Sequence, residues 1–190
     1  MERTPTHAAD TDPDLWNRAA SGDHTAFEEL FHRHAEAVWN HAYRLTGAWS
    51  QAEDLTSATF LMAWRKRHEV RLVRDSARPW LYAVAGNIAR SEFRSRGRFQ
   101  RALRRVPTGD VTADHADEVA GRVDDDRRVR AVLEAVRALP KSEREVVELC
   151  LLGDLPTADA AALLGLAEPS IRSRVSRAKA RLRTLLEESE

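Results

Sequence analysis

Apolar side chains recur at every third or fourth position through most of the chain, the period that lines one face of an α-helix. Phe27, Leu30, Phe31, Val38, Ala42 and Leu45 mark a long amphipathic helix ending near Gly47, and Ser21-Gly22-Asp23 separates it from a short helix, Asp14 to Ala20. Another helix runs from about Ser50 to Arg67, and a further one from Arg78-Pro79 to about Arg96, with Ser76 as its cap and Pro79 in its first turn. Val129, Val132, Leu133, Val136 and Leu139 form a helix that Pro140 ends, and Ser142-Glu143-Arg144-Glu145 reads as a capping box opening a helix through Cys150. No segment alternates strictly, so the pattern predicts an all-α protein.

Two of these helices are apolar on more than one face. Between Ser50 and Arg67, Leu55, Ala58, Thr59 and Met62 project to one side, while Phe60 and Trp64, with Glu53 near them, project to the other. Such a helix is either sandwiched within its own bundle or docked on something else, and Glu53-Asp54 beside an aromatic stripe suits a basic partner helix. In the next helix Trp80, Leu81, Val84 and Ile88 make a core stripe, with Tyr82, Gly86, Arg90 and Phe93 turned away. Aromatics interleaved with cations either stack unpaired bases or pack on a neighbouring helix. The preceding loop adds Arg65, Lys66, Arg67, Arg71 and Arg74, with Arg78 just beyond, and strengthens the nucleic-acid reading.

From Thr157 to Arg183 the pattern is a helix-turn-helix. Asp159 to Leu164 supplies a small apolar helix, Gly165 takes the positive φ of a tight turn, and Pro169 fits the first turn of the next helix. In that second helix Ile171, Val175, Ala178 and Leu182 form a packing stripe, and Ser173, Ser176, Arg177 and Ala180 point away from it. Small residues flanked by Arg172, Arg174, Lys179 and Arg181 let the backbone approach base edges while guanidiniums reach phosphate or guanine.

Charge divides the chain further. The formal net charge is zero over 190 residues, yet Arg90 to Arg105 carries seven arginines against Glu92, and Val106 to Asp126 carries seven acids against Arg122. The acidic stretch, with Pro107, Gly109 and Gly121 and no apolar period, is expected to be a flexible linker over 106–126. It joins two small helical modules, 13–105 and 127–186, the latter a four-helix module ending in the helix-turn-helix; residues 1–12 are expected to form a disordered tail. A lone cysteine, Cys150, excludes an intramolecular disulfide, and no apolar run approaches the roughly 18 residues that span a bilayer. A soluble cytoplasmic chain without membrane insertion is therefore expected. The seven histidines show no metal-ligand spacing and no glycine-rich phosphate loop is present, so neither cofactor, metal nor catalytic residue is expected. Packed or surface histidines account for His34 and His41, which share a helix face.

LPKSEREVVELC from Leu139, followed by DAAALLG and SIRSRVSRAKARLR, resembles the C-terminal DNA-binding module of bacterial extracytoplasmic-function (ECF) sigma factors of the sigma-70 family. AFEELFHRH from Ala26, YRLTG from Tyr43, AEDLTSATFLMAWR from Ala52 and WLYAVAGNIARSEFR from Trp80 resemble their N-terminal module, in the right order from about Asp14 to Arg183. The resemblance implies a transcription initiation factor without catalysis of its own, directing core RNA polymerase to promoters through its β′ and β subunits. It places polymerase binding on Glu53, Asp54, Leu55, Phe60 and Trp64. It places the minus-ten surface on Arg71, Arg74, Trp80, Tyr82, Asn87 and Arg90. The minus-35 reader falls on Ser170, Arg172, Ser173, Arg174 and Arg177, with Lys141 and Arg144 as phosphate contacts. An anti-sigma factor is a further implied partner. Gly86 and Ser91 stand where the family usually has Arg and Asp, and Pro169 where Gly is common. The alternative from the residues alone is a stand-alone dimeric helix-turn-helix regulator, which would protect a palindromic site without polymerase.

Overall fold

The computed structural model describes residues 10–72, 74–103 and 120–188. Residues 1–9 of the expected tail and 106–119 of the expected linker lie outside the described residues. Every regular element among the described residues is helical, as the periodicity predicted.

Helix α1 (Asp12–Ala20) starts at a capping box in which Thr11 and Asp14 bond reciprocally. Helix α2 (His24–Thr46) is capped by the Asp23 carboxylate and closed by Gly47 in the left-handed conformation. Helix α3 (Trp49–Lys66) returns along α2, and α4 (Arg78–Leu103) packs across both. The Ser76 hydroxyl accepts the Arg78 N–H at 3.2 Å and so satisfies the first donor of α4, although the carbonyl that takes the first intrahelical bond is that of Ala77, and the helix runs beyond Arg96 to Leu103.

Helix α5 (Ala120–Ala138) begins inside the stretch expected as linker. Helix α6 (Lys141–Val147) continues into a single π-helical turn, Glu148–Leu152, before α7 (Thr157–Leu164) and α8 (Glu168–Glu187). The capping box expected at Ser142 does not form. The Pro140 carbonyl accepts the N–H groups of Glu143 and Arg144, so the helix is already under way and Ser142 lies within its first turn. Gly165 has φ 64°, the left-handed turn the helix-turn-helix needs, and α8 buries Ile171 and Ala178 completely.

The two modules pack against each other. One buried cluster joins Trp16, Leu81 and Tyr82 of the N-terminal module to Val146, Leu149 and Ile171 of the C-terminal one. A second, around Val136, Leu139, Val147 and Ala178, is internal to the C-terminal module.

Candidate nucleic-acid and partner interfaces

The candidate DNA-reading face of α8 lies open. Ser170, Arg172, Ser173, Ser176 and Arg177 are exposed, while Arg174 is half-buried. The packing stripe behind them, anchored by Ile171 and Ala178, fixes the rotation of the helix, so the polar face points outward by default. Arg172 is held at 2.7 Å by Glu168, whose carboxylate also accepts the Thr157 hydroxyl at 2.7 Å. This bridge ties the first helix of the motif to the start of the second. Lys141 is exposed, but Arg144 is half-buried and its Nε has no hydrogen-bond partner.

The minus-ten candidates lie in a different environment. Tyr82 is only 5% exposed; its ring stacks on His41 at 4.2 Å and its hydroxyl donates to the Ala37 carbonyl at 3.1 Å. Burial pulls His41 down to about 4, so the imidazole stays neutral against the phenol ring. Arg90 pairs with Glu148 of the π-helical turn and bonds the Asn87 amide oxygen, which engages two candidate side chains within the protein. Arg74 reaches α7, donating to the Ala158 carbonyl at 3.2 Å and lying 3.5 Å from Asp159. Arg44 closes the same boundary by donating to the Leu152 carbonyl at 3.0 Å. Trp80 is half-buried edge-on against Trp16 at 5.3 Å, whereas Arg71 and Asn87 are exposed. Trp16 in turn donates to the Val70 carbonyl at 3.1 Å, which anchors the basic loop at its middle.

The face of α4 that the pattern left unpartnered therefore meets the C-terminal module. Glu148 is the residue that sequence reasoning missed, although a carboxylate inside Val146-Val147-Glu148-Leu149 was a visible signal of a buried charge awaiting a cation. Burial pushes its carboxyl up to about 7, against the opposing charges of Arg90 and Arg144. Gly86, on the face that the sequence left unpartnered, lies against this pair: a Cβ there would come within 2.9 Å of a Glu148 carboxylate oxygen.

The polymerase candidates divide as well. Glu53 and Asp54 are exposed, and Glu53 accepts the Trp49 indole N–H at 2.9 Å. Leu55 and Phe60 are buried at 1% and 5%, so neither forms the free apolar face that the helix projection assigned to Phe60. Phe60 lies beneath Phe27 and Phe31 of α2, with ring centroids 6.5 and 4.7 Å away. Trp64 is half-buried, edge-on to Phe27 at 5.1 Å, with the Arg67 guanidinium 3.6 Å above its ring. The apolar side chains left open beside this surface are Phe31 and Leu61, at 39% and 50% exposure.

Known proteins match along the same division. Residues 30–99 match the family model for sigma-70 region 2, and residues 129–182 the model for sigma-70 region 4. The ECF RNA polymerase sigma factor SigL of Mycobacterium tuberculosis is 32% identical over 171 residues, spanning 90% of this chain and 94% of SigL. The RNA polymerase sigma factor CnrH of Cupriavidus metallidurans is 31% identical over 192 residues, spanning 94% of this chain and 95% of CnrH. The solved structure of CnrH in complex with the cytosolic domain of CnrY matches with a TM-score of 0.63 at 26% identity, covering 95% of this chain and 100% of that one. The sigma factor RpoE of Bartonella quintana, in complex with the anti-sigma factor NepR, matches with a TM-score of 0.55 at 28% identity, covering 85% and 96% of the two chains. Both modules match in order and nearly end to end, which favours a two-module factor over a stand-alone helix-turn-helix regulator. The chain belongs to the ECF sigma factors of the sigma-70 family.

Proposed function

We propose that this protein is a dissociable specificity subunit of bacterial RNA polymerase that acts in the cytoplasm, binds the core enzyme and directs it to a defined set of promoters. The observation that carries the reading is the open polar face of α8, Ser170 to Arg177, presented by a helix-turn-helix whose packing stripe is anchored by the buried Ile171 and Ala178. Its small residues and guanidiniums suit the minus-35 major groove. Arg71, Arg74, Trp80, Tyr82, Asn87 and Arg90 are the candidates for reading and opening the minus-ten element, and Glu53, Asp54 and Trp64 for holding core polymerase, with Leu55 and Phe60 supporting them from beneath.

On this reading the two DNA surfaces differ in readiness. The upstream reader is open in the free protein, whereas Arg74, Tyr82 and Arg90 are engaged by the C-terminal module. Reading the minus-ten element requires the modules to part, and polymerase supplies the differential binding that holds them apart. The protein performs no bond chemistry; opening of the strands is an effect of binding. By analogy with RpoE bound to NepR, an anti-sigma factor is a natural partner, one that keeps the modules from polymerase.

The test is run-off transcription on genomic fragments with purified core polymerase. Initiation at discrete sites that depends on this protein is expected. Transcripts indistinguishable from those of core enzyme alone would sink the proposal.

A further inference from the structure

A cavity of about 190 Å³ lies on the boundary between the modules. Its apolar wall comes from both sides, Leu45 and Phe93 from the N-terminal module and Leu133 and Val136 from the C-terminal one. Four guanidiniums line it, those of Arg90, Arg94, Arg137 and Arg144, against a single carboxylate, Glu148, which Arg90 already engages. Among the described residues no carboxylate forms a direct ion pair with Arg137 or Arg144, although Glu134 bears on the first and Glu148 on the second, and the Nε of each is buried without a hydrogen-bond partner. The Arg137 guanidinium sits 3.7 Å over the Phe93 ring. Burial lowers Arg137 from the ordinary guanidinium value, Glu134 opposing and Arg96 adding to the effect.

An apolar space walled by four guanidiniums against one carboxylate suits an occupant that is apolar in body and negative at one end. Size narrows the choice, since an apolar cavity of about 150 Å³ is known to accept benzene. A planar carboxylate also matches the guanidinium fork, which it meets with two parallel hydrogen bonds. We propose that the boundary cavity is a binding site for a small aromatic carboxylate, its ring among Leu45, Phe93, Leu133 and Val136 and its carboxylate on the Arg137 and Arg144 guanidiniums. Because the wall is drawn from both modules, such a ligand binds the packed arrangement and not the parted one. It therefore shifts the population towards the form in which the α4 surface is covered.

The test is calorimetric titration of the full-length protein with benzoate and phenylacetate, with benzylamine as a control of like size and opposite charge. Neither polymerase nor DNA is present, so the outcome is independent of the transcriptional reading. Saturable binding of a carboxylate and none of benzylamine is expected. Arg137→Gln should weaken it by about tenfold or more, the scale of a lost charge-assisted contact, and Ala89→Leu, which grows a side chain into the cavity, should remove it. Circular dichroism checks that each variant is folded, and Arg137→Gln decides alone if Ala89→Leu is not. Absence of saturable binding, equal binding of benzylamine, or carboxylate binding unchanged in a folded Arg137→Gln protein would each overturn the proposal. In the first case an acidic protein helix becomes the better occupant.

Discussion

Arg90 of α4 and Glu148 of the π-helical turn form an ion pair across the module boundary, with side-chain exposures of only 11% and 8%. Desolvation offsets much of what such a pair gains, and without Arg90 the Glu148 carboxyl takes up a proton instead of remaining a bare buried charge. Arg90→Ala is therefore expected to weaken the packed arrangement by about 1 to 3 kcal/mol, the scale of a lost charge-assisted contact. Distance measurements between a label on α3 and one on α8 should show the longer separation gaining population. An unchanged distance distribution would mean that the apolar contacts hold the modules without the pair.

Proton binding by Glu148 gives the boundary a pH dependence. Its pKa rises from the ordinary 4.5 in the exposed side chain to about 7 in the packed one, so the packed form binds the proton more tightly. Stabilisation from that proton is complete below pH 4.5 and is lost as pH rises through 7. His41, held near 4 by burial, acts in the opposite sense: exposure on parting would return it towards the ordinary 6.5 and favour the parted form as pH falls, which offsets part of the Glu148 effect near pH 6. Between pH 6 and pH 8 the same label pair should report fewer packed molecules at the higher pH. Glu148→Gln should flatten that response; a response that persists in the variant assigns it to another group.

Asp12 links three elements near the chain start. Its carboxylate contacts His34 Nε2 at 2.6 Å, accepts the Ala77 N–H at 2.8 Å, and lies 3.5 Å from Arg33. Burial opposes its ionisation, but the bonds from His34 and Ala77 and the charge at His34 outweigh burial and hold the carboxyl at about 2. A lowered carboxylate pKa stabilises the fold above the unfolded value of 3.8 and loses that contribution as pH falls towards 2. Asp12→Ala should cost about 1 to 3 kcal/mol at neutral pH, visible as a lower melting temperature. The difference between variant and parent should shrink as the pH of the melt is lowered below 4.

The two ends of the molecule should separate functionally. Arg172→Ala is expected to weaken holoenzyme binding at the upstream element by about 1 to 3 kcal/mol, the worth of a base-reading contact, while leaving assembly with core enzyme intact. Trp64→Ala should do the reverse. Gel-shift assays on promoter fragments and co-elution with core polymerase read the two effects independently, and a single variant that lowered both equally would argue against divided roles.

Much of the fold was legible because its determinants are local. The stripe Ile171, Val175, Ala178 and Leu182, the turn at Gly165 and the Ser76 bond at the start of α4 each depend on residues a few positions apart. What was not legible is which second face meets which. Tyr82, Gly86 and Arg90 stood out as an unpartnered stripe, but no periodicity reveals that the covering surface lies near position 150. Phe60 shows the converse, since its second face is roofed by Phe27 and Phe31 from another helix. Ser142 failed as a cap because Pro140 had already started the helix, a competition that a four-residue motif does not register.

The π-helical turn Glu148–Leu152 makes the module boundary sensitive to chain length. A π turn holds one residue more than the α turn it replaces, and here it turns the Leu152 carbonyl to Arg44, the Leu149 carbonyl to the Leu155 N–H, and Glu148 to Arg90. Removing a single codon from this turn would leave an ordinary α turn of the same sweep, so the winding on either side would keep its phase. The widened turn that carries Glu148 towards Arg90 and leaves the Leu152 carbonyl to Arg44 would close, however. Each module would keep its own core while the contacts between them lost their geometry, so coupling between the halves rests on one residue more than a regular helix needs.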